Sequence, residues 1–159
     1  MQNPVDCPCG SAQAFQRCCG LLLQGIAAGT AEQLMRSRYT AYALNDPAYL
    51  QRTWHPSTRP SRLQLDDEPR PYWQKLFILA TTGGATGDSE GHVEFLALYE
   101  MNGRLCQLHE SSSFIREENL WYYLDGTAGA GIARSAPCPC RSGRKFKRCC
   151  AVSQGAGRL

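Results

Sequence analysis

Long hydrophobic runs are missing from the 159-residue sequence, and so is a secretory start. The longest purely aliphatic run is Leu21-Leu22-Leu23, far below the ~20 apolar residues that a transmembrane helix needs. No basic segment followed by an apolar core marks a signal peptide. These two absences predict a soluble, cytoplasmic protein without a membrane span.

Acidic residues are absent from the last 26 positions, although seven of the 17 Lys and Arg lie there. Residues 1–133 hold ten basic and fourteen acidic side chains, which is a net charge of −4. Such an asymmetry indicates either a docking surface for an acidic partner or a solubilising tail. The basic residues of the tail are Arg134, Arg141, Arg144, Lys145, Lys147, Arg148 and Arg158.

Cysteine, in contrast, is abundant, and eight of the nine cysteines fall into two short clusters. Both clusters read C-P-C, eight residues, C-C, and they repeat at an offset of 131 positions. The clusters are Cys7, Cys9, Cys18 and Cys19, and Cys138, Cys140, Cys149 and Cys150. The repeat predicts one duplicated module at the two ends of the chain.

Four thiolates at this spacing suit a tetrahedral zinc ion. Disulfides or redox chemistry are the alternative, but neighbouring cysteines pair only with strain, and a cytoplasmic chain is kept reduced. Another soft metal is a third possibility. The sequence therefore predicts two Zn²⁺ ions per chain.

The second cluster, from Cys138 to Cys150, closely resembles the SEC-C motif, the zinc module at the C-terminus of the SecA preprotein translocation ATPase. It departs from the motif at Arg141, where glycine is usual. The first cluster keeps the metal ligands but has Ala12, Gln13 and Ala14 in place of the glycine and the basic pair. The resemblance implies metal binding by both copies, and a basic docking face only in the second.

The residues between the clusters predict an α+β body. Thr30 and Gln33 form a capping-box pattern that opens a helix, and Asp46 with Pro47 opens a second, shorter helix. Strand-like segments follow from residue 73, with the hairpin signal Asn102-Gly103 between two of them. Helices followed by an antiparallel meander predict helices packed on a curved antiparallel sheet. Glycines 126, 129 and 131 predict a flexible linker to the second module.

Several segments of this body resemble the YchJ family: residues 34–42, Tyr49-Leu50, residues 53–56 and Trp121-Tyr122-Tyr123. The resemblance implies a nuclear-transport-factor-2-like (cystatin-like) cone between zinc modules, and it implies no activity. The predicted domains are a zinc module at 1–25, the cone at 26–130, and a linker with the second zinc module at 131–159.

A cone of this kind has room for a pocket, for which the candidate residues are Trp54, His55, His109 and Glu110. On a strand His109 and Glu110 point to opposite faces, so both cannot line one cavity without a bulge. No nucleophile–base pair or pair of carboxylates emerges. The sequence therefore favours a satisfied structural role for each histidine and predicts no catalytic residue.

The resulting prediction is a two-zinc interaction or adaptor protein. By similarity to the SecA module, Arg144, Lys145, Lys147 and Arg148 would dock on an acidic protein surface, such as a chaperone, a translocation component or the ribosome. Contact with nucleic acid would be through the ribosome, but the basic tail has few aromatic side chains on which bases could stack. A small-molecule-binding or enzymatic pocket in the central domain is the alternative.

Overall fold

An antiparallel sheet of four strands follows a set of short helices along the chain. A computed structural model describes residues 5–152, so the end of the predicted C-terminal module, with Arg158, lies outside the described residues. The helices are α1 (Cys19–Leu23), α2 (Ala31–Ala43) and α3 (Pro47–Arg52). The strands are β1 (Tyr72–Gly83), β2 (Glu90–Met101), β3 (Arg104–Glu117) and β4 (Leu120–Ala128), paired in that order. This confirms the predicted α+β class.

Helices α2 and α3 begin at the predicted caps. The Thr30 hydroxyl accepts a hydrogen bond from the Gln33 N–H at 3.1 Å, while the Gln33 side chain accepts one from the Gly29 N–H at 2.8 Å. The capping box therefore forms with its second bond one residue earlier than usual. The Asp46 carboxylate caps α3 by accepting from the Tyr49 N–H at 2.9 Å. In the described part of the chain, no helix has both the length and the apolar character needed to cross a bilayer.

The sheet is a simple meander whose central hairpin turns at Asn102-Gly103. Both residues have positive φ angles, 53° and 72°, as a two-residue type I′ turn requires. Strand β4 continues to Ala128, with Gly126 paired to Ser112 of β3. The prediction that Gly126 belongs to a linker is therefore wrong. A Cβ atom at this position would collide with the Glu110 side chain, which would then have to move.

The segment that follows β4 is fastened to β3, in contrast to the flexible linker predicted from its glycines. The Gly129 N–H donates to the His109 carbonyl at 2.7 Å, and the Gly131 N–H donates to His109 Nδ1 at 3.1 Å. The Gln107 side chain brackets Ile132, accepting from its N–H at 2.8 Å and donating to its carbonyl at 3.1 Å. These bonds fix the direction in which the chain enters the second module.

One face of the sheet packs against α2 and the first cysteine cluster. Leu34 and Met35 of α2 meet Val93, Phe95 and Ala97 of β2 in a single buried core. Cys7, Cys9 and Cys19 belong to the same core and are almost fully buried. The first module is therefore part of the main core and not a separate appendage.

The other face of the sheet is covered by the second module. Leu96 and Leu98 alternate with the core residues of β2 and so point away from α2. Both are fully buried, against Phe146, Cys138 and Ala151 of the second module. The 3₁₀ turn Phe146–Arg148 places the Phe146 ring, 1% exposed, in this contact. The module thus docks on the sheet through Phe146, the large apolar side chain between its two cysteine pairs.

We expect Phe146→Ala to lower the free energy of unfolding by about 3 kcal/mol, because truncating a buried aromatic leaves a cavity. Lys147→Ala, at the next position and exposed, is the control and should change it by less than about 0.5 kcal/mol. Urea unfolding of the two variants provides the comparison. Equal effects would contradict the docking of the module on β2.

Candidate metal centres

The structure gathers the eight predicted cysteines into two groups of four. In each group the sulfur atoms all lie within 4.8 Å of one another. None of the nine cysteines is in a disulfide, so the disulfide alternative is not the one the fold adopts. The first cluster consists of Cys7, Cys9, Cys18 and Cys19, and the second of Cys138, Cys140, Cys149 and Cys150.

The distances between the sulfurs fit a tetrahedral metal ion. With metal–sulfur bonds of about 2.3 Å, two corners of the tetrahedron are about 3.8 Å apart. The Cys9 and Cys18 sulfurs are 3.6 Å apart, those of Cys18 and Cys19 are 3.9 Å apart, and those of Cys140 and Cys149 are 3.4 Å apart. Four thiolates are also a soft ligand set, which excludes oxygen-seeking ions such as Mg²⁺. Both clusters are thus positioned to bind metal and are consistent with zinc.

The two modules hold their sulfurs in the same way. In each, a serine hydroxyl lies 3.2 Å from the third cysteine sulfur: Ser11 beside Cys18, and Ser142 beside Cys149. Ser11 and Ser142 coincide at the 131-residue offset of the two clusters, and this coincidence is the sequence signal for a shared role that was not predicted. Hydroxyl groups that bond to a ligand sulfur orient it and stabilise its charge.

Hydrogen bonding separates the pKa values of the thiols within each cluster. The pKa of Cys9 is lowered to about 4, mainly because it shares a hydrogen bond with Cys19, and the same bond together with burial raises the pKa of Cys19. In the second cluster, hydrogen bonds led by the Ser142 hydroxyl lower the pKa of Cys140 to about 6. Because thiolates are the metal-binding form, each cluster offers an anionic ligand at neutral pH.

Helix α2 braces the first cluster from one side. The Arg36 guanidinium donates to the Cys9 carbonyl at 2.9 Å and pairs with Glu32 at 2.9 Å. The Thr40 hydroxyl lies 4.0 Å from the Cys7 sulfur. Together with the burial of the cysteines, these contacts make the first cluster a structural centre of the body.

The second cluster is more open to solvent. Cys140 is exposed, whereas Cys149 and Cys150 are half-buried. The Lys75 ammonium of β1 donates to the Cys150 sulfur at 3.5 Å. This cation is placed to offset part of the −2 charge that four thiolates and a divalent metal would carry.

The four basic residues predicted to recognise a partner surround the docked phenylalanine. All four side chains are exposed, and none forms an ion pair with a residue of the range 5–152. The 3₁₀ turn and the strand-like bridge between Pro137 and Lys145 hold their backbone. We call this set the basic face; it consists of Arg144, Lys145, Lys147 and Arg148.

A cavity of about 220 Å³ lies between α2 and the sheet, but only one of the four predicted pocket residues lines it. Glu110 faces the cavity, whereas His109 points to the opposite face of β3 and bonds to Glu94 at 2.7 Å. The alternation of side chains along a strand accounts for this separation.

The other two predicted pocket residues also lie outside the cavity lining. His55 is held by the Ser57 hydroxyl at 2.6 Å and by Glu117 at 3.2 Å. Trp54 lies next to Arg38: the guanidinium carbon of Arg38 is 5.2 Å from the centre of the Trp54 ring. Of the four candidate pocket residues, the cavity lining thus includes Glu110 and leaves out Trp54, His55 and His109, and both histidines have the hydrogen-bond partners of a structural role.

Comparison with protein families agrees with this architecture. A family model described as YchJ, middle NTF2-like domain, matches residues 30–126. The SEC-C motif matches twice, at residues 6–21 and 134–151. The chain belongs to the YchJ family. Both resemblances inferred from the sequence are thereby confirmed.

Relatives in this family match along most of the chain. A UPF0225 protein of Geobacter sulfurreducens is 40% identical over 158 residues, covering 91% of this chain and 96% of the relative. A UPF0225 protein of Photorhabdus laumondii is 42% identical over 155 residues, covering 91% and 97%.

Two solved structures have a similar fold. The solution structure of a SEC-C motif containing protein from Rhodopseudomonas palustris has a TM-score of 0.67 at 34% identity, covering 79% of this chain and 99% of that one. The crystal structure of a SEC-C motif containing protein from Psychrobacter arcticus has a TM-score of 0.59 at 32% identity, covering 93% and 96%.

The loops of the two SEC-C modules carry matching backbone strain. At the 131-residue offset Gly10 corresponds to Arg141, and Ala12 corresponds to Gly143. All four have positive φ angles, between 58° and 75°. Each loop therefore needs two left-handed residues and has glycine at only one of them. A non-glycine residue there costs roughly 1 kcal/mol or more.

We expect Arg141→Gly to raise the free energy of unfolding of the metal-loaded chain by about 1 kcal/mol, because glycine relieves the left-handed strain. Arg141→Ala removes the same charge without relieving the strain and should leave stability nearly unchanged. Urea unfolding at saturating metal distinguishes them. If the free energy of unfolding rose equally in both variants, the effect would come from the lost charge and not from the backbone conformation.

Proposed function

We propose that this protein is a two-zinc adaptor whose second module docks on an acidic protein surface. The observation that supports this proposal best is the orientation of the second module: its Phe146 ring is buried on the sheet while the basic face around it is exposed. The first module serves as a structural clamp on α2.

Zinc is the metal that the ligand sets favour. Structural zinc sites with four cysteines are closed and tetrahedral, and both clusters have the sulfur spacing of such a site. Zinc also has no redox chemistry of its own, which suits a module that works by holding a surface in place.

The charge of the second module supports an acidic partner. Seven basic residues in the last 26 positions against the −2 of a zinc tetrathiolate leave a net charge of about +5. Lys75 of β1 contacts the Cys150 sulfur. The four side chains of the basic face are exposed and therefore free to approach another molecule. Charge complementarity of this kind steers association and sets its specificity.

The first module provides an internal comparison. The residues that correspond to Arg144, Lys145 and Lys147 are Gln13, Ala14 and Gln16; only Arg148 has a basic counterpart, Arg17. The two modules nevertheless share their turns and sulfur arrangement. The module fold therefore does not require the basic side chains, which favours a role for them in binding.

A folded protein is a better fit to the basic face than single-stranded RNA. Binding of single strands relies on aromatic side chains on which bases stack. Phe146 is the aromatic residue within the basic face, and it is buried. We therefore propose an acidic surface of a chaperone, a translocation component or a ribosomal protein as the partner, in the cytoplasm.

Elemental analysis tests the zinc assignment. We expect two zinc ions per reduced wild-type chain, and one in Cys149→Ser, since removal of one ligand destroys a closed four-cysteine site. Cys106→Ser, which alters the one cysteine outside the clusters, is the control and should retain two. A value below about 1.5 per wild-type chain would contradict the two-zinc proposal.

Replacement of the basic face tests the docking role. The variant carries Arg144→Gln, Lys145→Ala, Lys147→Gln and Arg148→Gln, of which the first three introduce the residues that the first module has at the equivalent positions. We expect it to retain two zinc ions and to lose the protein partners that co-purify with the wild type. Binding by the wild type should also weaken with salt, because exposed charges are screened over ~8 Å at physiological ionic strength.

A charge-matched control separates docking from a general effect of net charge. It neutralises four exposed arginines of the body: Arg59, Arg62, Arg70 and Arg104. This control should keep its partners. If the variant of the basic face also keeps every partner at low salt, the basic face serves solubility only; if RNA alone is lost, the partner is a nucleic acid and the proposal of a protein surface is wrong.

A further inference from the structure

The cavity between α2 and the sheet contains a buried arginine that the adaptor function does not use. Its walls are mostly aromatic and aliphatic, and they include Tyr39, Trp73, Phe95 and Leu108. Arg38 also lines the cavity and is only 3% exposed. A charged side chain is almost never buried this far without a partner.

The protein satisfies only part of the Arg38 guanidinium. Nη1 donates to the Leu50 carbonyl at 2.9 Å and to the Thr53 hydroxyl at 2.8 Å. The group also lies over the Tyr123 ring, at 4.5 Å from its centre. Of the five N–H donors of an arginine, the three on Nε and Nη2 have no acceptor within residues 5–152.

No carboxylate of this part of the chain lies within 4.0 Å of Arg38 to form an ion pair. Burial consequently lowers the pKa of Arg38. Among the described residues, the fully enclosed polar atoms that lack a partner belong to Gln51, Trp54 and Arg116. The free donors of Arg38 are not among them, so the protein does not enclose these donors completely. They therefore keep some exposure, and Arg38 is one of the residues that line the cavity.

Glu110 gives the cavity a second polar group. Its Oε1 accepts hydrogen bonds from the Ser112 hydroxyl at 2.7 Å and from the Tyr123 hydroxyl at 3.2 Å. These two donors hold the carboxylate on the β3 side of the cavity, away from direct contact with Arg38. The Arg38 donors on Nε and Nη2 therefore stay unpaired, although the Glu110 carboxylate lines the same cavity.

We propose that this cavity binds a small organic carboxylate with a ring-sized apolar body, and that Arg38 receives the carboxylate through Nε and Nη2. Two parallel hydrogen bonds to a carboxylate are the strongest pairing that a guanidinium makes. An apolar cavity of about 150 Å³ is large enough for benzene, so about 220 Å³ accommodates one ring with a short acidic side chain. Glu110 opposes a second negative charge, which excludes dicarboxylates.

A matched pair of probes tests this site in the wild-type protein. The acid is 3-phenylpropanoate, and 3-phenylpropanamide has nearly the same shape without the charge. Binding is followed by NMR titration of the backbone amides up to about 10 mM probe, which saturates a site with a Kd of ~1 mM. We expect the acid to shift the signals of Ala97, Leu108 and Ser112 and the amide to bind at least about tenfold more weakly.

Variants at the two polar groups should act in opposite directions. Arg38→Met should weaken the acid at least about tenfold and leave the amide unchanged. Glu110→Gln keeps an oxygen for Ser112 and Tyr123 but removes the opposing charge, so it should bind the acid at least as tightly as the wild type. If Arg38→Met does not fold, the wild-type probe pair and Glu110→Gln decide.

Three results would overturn the proposal. Equal affinity for acid and amide would reveal an apolar cavity without a carboxylate site. Shifts confined to residues outside the cavity lining would place the acid elsewhere, for example on the basic face. The absence of a saturable shift with the acid at about 10 mM would leave Arg38 with a structural role alone.

Discussion

Strand β2 is buried on both sides, and this double burial determines where the two metal modules lie. An antiparallel sheet commonly leaves one face to water. Here Phe95 and Ala97 point into the main core while Leu96 and Leu98, both fully buried, point the opposite way. Because residues 95–98 in the middle of β2 are all apolar, other parts of the protein must bury both faces of the strand. Helix α2 with the first module provides one, and the second module provides the other.

The modules in turn depend on both the metal ligands and the sheet. A segment of about twenty residues cannot bury enough apolar surface to fold alone, and a four-cysteine metal site supplies the missing stability. Phe146 then connects the module to Leu96 and Leu98. At the C-terminal end, metal binding by the second cluster would therefore be coupled to coverage of the sheet: a module without its metal would also uncover two leucines.

The sequence predicts best what is decided locally. The caps at Thr30 and Asp46, the Asn102-Gly103 turn and the ligand spacing of both cysteine clusters each depend on residues close together in the chain, and the structure contains all of them. The side of the sheet that receives the second module depends on contacts between residues some fifty positions apart, for which the sequence has no local signal.

Two features of the body are decided by tertiary contacts and not by local sequence. The glycines at 126, 129 and 131 predict a flexible linker, but Gly126 lies in β4, where it makes room for Glu110 across the strand pair. His55 and His109 are pocket candidates by their chemistry, although the sequence favours a structural role for each, and hydrogen bonds to Ser57 and Glu94 hold them outside the cavity lining. Arg38 lies in the middle of a helix, and the extent of its burial beside the cavity is a result of tertiary packing.

Helix α2 finally links the first metal centre to the cavity. Arg36 and Thr40, four residues apart and so on one side of the helix, face the first cysteine cluster. Arg38, two residues from each, points toward the other side and lines the cavity. The first cysteine cluster therefore packs against one side of α2, and the buried Arg38 lies on the other side of the same helix. The second cluster lies on the opposite face of the sheet, in the module that covers Leu96 and Leu98 and carries the basic face. The two copies of one duplicated module thus cover opposite faces of the same sheet.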